Sequence, residues 1–139
     1  MSVAEAWVRI EEADALREEG DSGAQSWSAL QEPIKQLVKE AVRLGPKEQA
    51  VLFMGTWLLL PYAKAGDSEA KKIVTDCQTR LDQLGEPDGD VLDLVGGKRA
   101  YDQHRASVKS VIGSSSGCAV SVVSVAALAA SVGLLALLR

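Results

Sequence analysis

The C-terminal stretch of this chain constrains its fold more than any other feature. From Cys118 to Leu138 there are 21 consecutive residues without a charged side chain, and Arg139 follows them. A helix rises about 1.5 Å per residue, so one of this length spans roughly 30 Å, the thickness of a bilayer's hydrocarbon core. The sequence therefore predicts a transmembrane anchor over residues 118–139.

Basic residues ahead of this stretch predict its orientation. The basic cluster expected at the membrane interface consists of Lys98, Arg99, Arg105 and Lys109. Because cytoplasmic flanks are enriched in Lys and Arg, the domain before the anchor is expected to face the cytoplasm. The same cluster is suited to contact anionic lipid headgroups. The predicted topology is single-pass and tail-anchored, and the pattern does not identify the organelle.

The predicted anchor has a face of small and hydroxylated residues. This helix-packing face consists of Ser121, Ser124, Leu128, Ser131 and Gly133. Such residues let transmembrane helices approach closely and form hydrogen bonds, so the face predicts self-association or docking to another membrane helix. The alternatives are an ordinary anchor without a partner, or a helix that is buried in the preceding domain or held in its groove until released.

Residues 1–85 predict a bundle of about four helices. Apolar residues recur there at three- and four-residue steps, the pattern of amphipathic helices, and Gly20, Gly45 and Gly85 lie where three of these patterns stop. A loop, a basic juxtamembrane helix and a Gly/Ser hinge are predicted over residues 86–117. The expected fold class is all-α, a small helical bundle followed by a single C-terminal transmembrane helix.

One segment of the predicted bundle is apolar on every side. Residues 50–63 contain Gly55 and Pro61 and otherwise consist almost entirely of apolar side chains. A bilayer core requires roughly 20 helical residues, so this segment is too short to span it. We expect a central core helix that ends or kinks near Pro61. A re-entrant or membrane-inserting hairpin is the alternative.

Local patterns predict where helices begin and which residues they bury. The second helix is expected to start between Ser26 and Pro33, with regular helix from near Pro33 because proline is tolerated in a first turn. Asp90 is expected to cap a short helical turn. Lys35 and Lys39 are expected on the polar face of the second helix. The expected core consists of Trp7, Ile10, Leu37, Val38, Leu52, Phe53, Trp57, Leu60, Ile73, Cys77 and Leu81.

Composition and motifs argue against several functional classes. A net charge of −4 does not suit a general nucleic-acid binder, which needs a basic surface. The only histidine, His104, has no cysteine or second histidine at metal-ligand spacing, and the acidic residues from Asp88 to Asp93 lack the EF-hand spacing. We predict no catalytic residues, no cofactor and no metal site, and we expect Cys77 and Cys118 to be reduced.

One short motif resembles a known family. Residues 16–21, with the sequence Leu-Arg-Glu-Glu-Gly-Asp, have the L-x-x-x-G-D pattern of the BH3 segment in Bcl-2-type apoptosis regulators. Those regulators also have a central hydrophobic helix and a C-terminal anchor. The resemblance covers six residues and departs from the motif at Glu12 and Glu19, where the motif has apolar residues. The sequence therefore assigns the chain to no family.

Two functional hypotheses follow from these patterns. The first is a non-enzymatic membrane protein that presents a helical interaction module at the cytoplasmic face, as an adaptor, assembly factor or structural subunit of a cell or virus. The second is a membrane-active protein, such as a pore former, holin or apoptosis-type regulator, that uses residues 50–63 and the anchor. The expected partners are the lipid bilayer and helices of other proteins, including a second copy of the chain.

Overall fold

The computed structural model describes residues 3–116, and in that range it contains six α-helices and no strand. The helices are α1 (Val3–Ser22), α2 (Trp27–Leu44), α3 (Gln49–Lys64), α4 (Ser68–Leu84), α5 (Gly89–Val95) and α6 (Lys98–Ser116). This confirms the all-α fold class.

Polar side chains determine where three of these helices begin. Ser26, Asp67 and Asp88 each accept a hydrogen bond from the backbone N–H three residues further on, at the start of α2, α4 and α5. Such caps satisfy N–H groups that have no partner within the helix. Asp88 rather than Asp90 caps α5, which corrects the prediction.

The start of α2 lies within the predicted range, but Pro33 lies beyond the first turn. α2 begins at Trp27, and Pro33 lies inside the helix with its ring exposed. A proline at this position removes the hydrogen bond to the carbonyl of Ala29. The Ser26 cap and the burial of Leu30 and Ile34 stabilise the helix despite that loss.

α3 is the central helix of the bundle. Eleven of its sixteen residues are buried, and it packs against α1, α2, α4 and α5. A helix that is apolar on every side needs such neighbours on nearly all sides to remove its surface from water. The prediction of a central core helix over residues 50–63 is confirmed, and the helix continues through Pro61 to Lys64.

Most of the predicted core positions are buried. Seven of the eleven are buried, namely Ile10, Val38, Leu52, Phe53, Leu60, Cys77 and Leu81. Trp7, Leu37 and Ile73 are half-buried. Trp57 is 44% exposed, so its assignment to the core was wrong. The side of α3 that carries Trp57 is the one its neighbours leave uncovered.

The compact part of the chain extends beyond residue 85. The first compact unit is Met1–Val108, and the second is Lys109–Arg139. Within the first unit Val91, Tyr101, His104 and Val108 are buried. α6 also continues through Ser116, so residues that were expected to form a Gly/Ser hinge are helical.

None of the helices within residues 3–116 has both the length and the apolarity that a bilayer crossing requires. The predicted anchor over residues 118–139 lies outside the described residues. Its helix-packing face lies outside them as well, with Ser121, Ser124, Leu128, Ser131 and Gly133.

Gly55 lies where α3 closely approaches α2 and α4. A Cβ at this position would be 3.1 Å from the Sγ of Cys77 and 3.3 Å from a methyl carbon of Val38. Overpacking costs about 1–3 kcal/mol, whereas alanine gains about 1 kcal/mol in helix propensity. We expect Gly55→Ala to lower the free energy of unfolding by about 1 kcal/mol, as measured by urea titration of the full chain in neutral detergent micelles.

A double-mutant cycle tests whether the contact with Cys77 causes this loss. In a Cys77→Ala background the nearest atom is gone, and Gly55→Ala should then be close to neutral or stabilising. If Gly55→Ala costs the same in both backgrounds, the packing explanation is contradicted.

Candidate interaction surface

A long apolar groove runs along one side of the bundle. α1 forms one wall, α3 forms the floor, and α5 together with His104 forms the opposite wall. Three depressions of about 270, 320 and 370 Å³ follow one another along it. Leu94 lines the first two, and Arg17 and Trp57 line the last two, so the depressions form one continuous feature.

We call this feature the tryptophan groove because all three tryptophans of the chain line it. Its defining apolar residues are Val3, Trp7, Trp27, Trp57, Pro61 and Leu94.

Apolar side chains in the tryptophan groove are unusually accessible. Trp27 is 41% exposed, Leu94 is 43% exposed and Val3 is 49% exposed, and Trp57 is similarly accessible. These are four of the six large apolar side chains that are exposed among the described residues. Contiguous exposed apolar surface marks interaction sites, and tryptophan is enriched among the residues that dominate binding energy. The groove is therefore the candidate interaction surface.

Local packing holds Trp27 at one end of the groove. Its ring lies against Gly20, where an added Cβ would be only 3.1 Å from a ring carbon. The hydroxyl of Tyr62 donates a hydrogen bond of 3.1 Å to the Trp27 carbonyl, and the two rings meet edge to face at 6.2 Å. The side chain is exposed yet positioned in advance, which lowers the entropy cost of using it in binding.

A cluster of rings supports Trp57 from beneath. Its ring centroid lies 6.2 Å from that of Phe53 and 5.2 Å from that of His104. Phe53 in turn lies 4.9 Å from His104 and 5.8 Å from Tyr101. These contacts join α6 to α3 and leave one side of the Trp57 ring open to the groove.

His104 is a buried hydrogen-bond donor in this cluster. The hydroxyl of Thr56 donates to the Phe53 carbonyl at 2.7 Å, which uses its only proton. The 2.9 Å contact between the Thr56 oxygen and His104 Nε2 is then donated by the imidazole, which fixes the tautomer with a proton on Nε2. Burial, and secondarily the charge of Lys64, lower the pKa of His104 to about 4.

The lowered pKa of His104 predicts a loss of stability in mild acid. The unfolded chain takes up a proton near pH 6.5, whereas the folded chain takes it up only near pH 4. Stability is therefore complete above pH 6.5 and falls as the pH drops toward 4, by roughly 3 kcal/mol from this group. Urea titrations of the full chain across this pH range measure the loss.

His104→Gln provides the control for this pH dependence. The glutamine amide can donate to Thr56 but does not titrate, so the variant should lose less stability between pH 6.5 and pH 4. Carboxylates titrate in both proteins, so the difference between them isolates the imidazole. Identical pH profiles would contradict the assigned burial of His104.

A buried lysine is the second notable polar site. The side chain of Lys35 is 3% exposed, and its Nζ lies 2.7 Å from Glu32, 3.1 Å from Asp67 and 3.0 Å from Glu69. These carboxylates, Glu32 first, raise the pKa of Lys35. The hydrogen bond from the Ala70 N–H, followed by that from Lys35, lowers the pKa of Asp67. The cluster therefore ties α2 to the start of α4.

Sequence reasoning placed Lys35 on a solvent-facing stripe, and that was wrong. Lys35 lies at the edge of the polar face of α2. Its burial depends on the carboxylates of Asp67 and Glu69, which are more than 30 positions away along the chain. No local pattern around Lys35 carries that information. Lys39, one turn further along α2, is exposed as expected and pairs with Glu69 at 2.8 Å.

The residues of the predicted basic cluster lie on α6. Lys98 pairs with Asp102 at 2.9 Å, and Arg105 pairs with Asp82 of α4 at 3.1 Å. Arg99 is exposed on the first turn, and Lys109 is exposed within the second unit. Lys98 and Arg105 therefore form ion pairs within the bundle. Contact of the basic cluster with lipid stays a prediction.

A larger depression than those of the groove lies between α2 and α4. It has a volume of about 840 Å³, with Val42 and Ile73 among the residues that line it. Its charged rim is largely paired internally, as in the 3.0 Å contact between Arg80 and Asp76. It contains none of the exposed large apolar side chains, so it is a weaker candidate for an interaction surface than the tryptophan groove.

The described residues contain no group of three or more side chains arranged to hold a metal ion. Cys77 is a free thiol with no exposed surface. Burial raises its pKa to about 12, so the thiol is protonated at neutral pH and is a poor nucleophile.

No protein-family model, no curated protein and no solved structure matches the chain. Function is therefore inferred from the groove, from the polar sites and from the sequence itself.

Proposed function

We propose that the protein is a non-enzymatic, single-pass membrane protein that presents a helical interaction module at the cytoplasmic face. It acts as an adaptor, assembly factor or structural subunit. The observation that carries this proposal is the tryptophan groove, an open apolar surface on a bundle whose core is otherwise closed. Such a surface is costly in water and is stabilised by a partner that covers it.

The polar groups of the first unit support binding rather than chemistry. His104 donates its Nε2 proton to Thr56, Lys35 is held by three carboxylates, and Cys77 is enclosed in the core. Each of the most perturbed titratable groups therefore has a structural role that explains its environment. A perturbed pKa without such a role would favour an active site.

Residues 118–139 supply the proposed membrane attachment. Their 21 uncharged positions match a bilayer core, and the basic cluster on α6 precedes them. The helix-packing face around Ser124 and Ser131 would add contacts within the membrane. The interaction module and the anchor together would concentrate the groove at one membrane surface.

The burial of α3 supports this proposal over a membrane-active protein. Residues 51–56 of α3 are all buried in the bundle, so lipid contact by this segment would require the bundle to open. Release of a dye from liposomes by the full chain would favour the membrane-active function. Intact liposomes at the same protein-to-lipid ratio are expected.

Chemical cross-linking in native membranes tests the proposed function. The full chain should yield one or a few defined cross-linked partners, or a defined self-contact, after purification from membranes. A variant that lacks residues 118–139 is the control, and it should lose partners that depend on membrane location. Recovery of no specific contact from the full chain would overturn the proposal.

A further inference from the structure

We propose that the tryptophan groove binds an amphipathic α-helix with one basic end and one acidic end. This inference rests on the proposed function and names the chemistry of the partner. The argument uses the length of the groove, the spacing of its depressions and the charges along its rim.

The groove has the length of a short helix. The residues of α1 that line it run from Val3 to Asp21, a distance of about 27 Å at 1.5 Å per residue. A partner helix of about 18 residues matches that length. Helices bind such grooves through apolar side chains at positions i, i+3 or i+4, and i+7. An extended peptide would lack an open sheet edge to pair with, because the described residues form helices only.

Trp57 divides the groove into sites for separate anchor side chains. The depressions on either side of it have volumes of about 320 and 370 Å³. Leu94 lines the 320 Å³ depression and also the neighbouring depression that contains Val3 and Trp7, so the groove continues in that direction. Each depression is large enough to accept a leucine or phenylalanine side chain, so the groove accommodates two or more apolar side chains on one face of a helix.

The rim charges differ between the two ends of the groove. Glu48 and Asp90 lie at the end that contains Val3, and no ion pair to a lysine or arginine is formed by either of them within residues 3–116. Lys64 lies at the end that contains Trp27, and no carboxylate pairs with it in the described part of the chain. The first end is therefore acidic and the second is basic.

The charged residues of α1 that line the middle and the Trp27 end of the groove are already compensated. Arg17 binds Asp14 at 2.7 Å and Asp21 at 2.5 Å, across the turns of α1. The orientation of a bound helix then depends on Glu48, Asp90 and Lys64 at the ends. Its basic end should lie at Glu48 and Asp90, and its acidic end at Lys64, because opposite charges fix register and orientation in interfaces.

A synthetic peptide tests this orientation with the full chain in phosphatidylcholine nanodiscs. The probe is an 18-residue helical peptide with one leucine face, two lysines at one end and two glutamates at the other. A benzophenone group is attached near either the lysine end or the glutamate end. We expect the first peptide to cross-link near Asp90 and the second to cross-link near Lys64, as mapped by mass spectrometry.

Variants of the groove and of a distant surface accompany the probe. Leu94→Ser and Trp57→Ala should each weaken peptide binding about tenfold or more. Leu84→Ser removes an exposed apolar side chain outside the groove and should leave the affinity unchanged. The double variant Glu48→Lys with Lys64→Glu leaves the first end neutral, because Asp90 remains there, and makes the second end acidic. It should bind the peptide with a reversed and weaker orientation preference.

The outcomes separate this inference from the proposed function. Binding without an orientation preference, cross-links outside the groove, or an affinity unaffected by Leu94→Ser and Trp57→Ala would each overturn the inference. Empty nanodiscs report peptide bound by lipid alone, and equal signals with and without the protein would overturn it too. In all these cases a partner cross-linked to the full chain in native membranes would leave the proposed function standing.

Discussion

Deletion of residues 118–139 is expected to move the protein from the membrane fraction to the soluble fraction. The uncharged run from Cys118 to Leu138 is long enough to cross a bilayer, and insertion of such a helix is effectively irreversible. The first unit presents no helix suited to spanning. The full chain should therefore stay in the pellet after alkaline carbonate extraction, and the deletion variant should be released.

A substitution at the centre of the proposed anchor makes this test sharper. Leu128 is the midpoint of the run from residue 118 to residue 138. Insertion of an arginine at the middle of a transmembrane helix costs about 2.5–3.5 kcal/mol, whereas insertion of a leucine is slightly favourable, so Leu128→Arg should reduce the membrane-inserted fraction. Leu128→Ala is the matched control and should remain inserted. Extraction of the full chain by carbonate would contradict the anchor.

Replacement of Lys35 by methionine is expected to cost about 2 kcal/mol of stability, because it removes a buried cation that contacts three carboxylates. Methionine fills a similar volume, so the loss reports charge rather than packing. Glu32, Asp67 and Glu69 would remain close together and repel one another. Urea titration of the full chain in neutral detergent micelles at pH 7 measures the free energy of unfolding.

Lys39→Met is the matched control for this substitution. Lys39 lies on the same helix and contacts the same Glu69, but its side chain is 43% exposed. An exposed ion pair contributes about 0–1 kcal/mol, so the control should be nearly neutral. If Lys35→Met and Lys39→Met lower stability equally, the buried ion cluster does not have the assigned role.

The parts of the fold that depend on local chemistry were predictable. Glycines stop α2 at Gly45 and α4 at Gly85, and Gly96 and Gly97 separate α5 from α6. Residues 50–63 form the central helix because an all-round apolar segment is stable only when it is surrounded. In both cases the information lies within a few residues of the feature.

The burial of Lys35 and the exposure of Trp57 were not predictable from the spacing of apolar residues. A repeat at three- and four-residue steps assigns a side chain to a face of its helix, but it does not reveal what covers that face. Asp67 and Glu69 cover Lys35 from another helix, and the groove leaves Trp57 open although α3 is apolar on all sides. The candidate surface was consequently absent from the sequence-based prediction.

The buried face of α6 was predictable from its sequence spacing. Tyr101, His104 and Val108 are spaced by three and four residues and are all buried. The basic residues around them suggested a surface helix, and the histidine interrupted the apolar stripe. The burial of His104 depends on the hydroxyl of Thr56, which lies 48 positions earlier in the chain.

Site-specific photo-cross-linking tests the central claim most directly, namely that the tryptophan groove is where this protein meets its partner. A photoreactive phenylalanine analogue would replace either Trp57 in the groove or Leu84 outside it, in the full chain in native membranes. Both side chains are exposed, at 44% and 38%, so accessibility is matched. We predict a defined cross-linked species from position 57 and none from position 84. Equal cross-linking from both positions, or none from position 57, would contradict the claim.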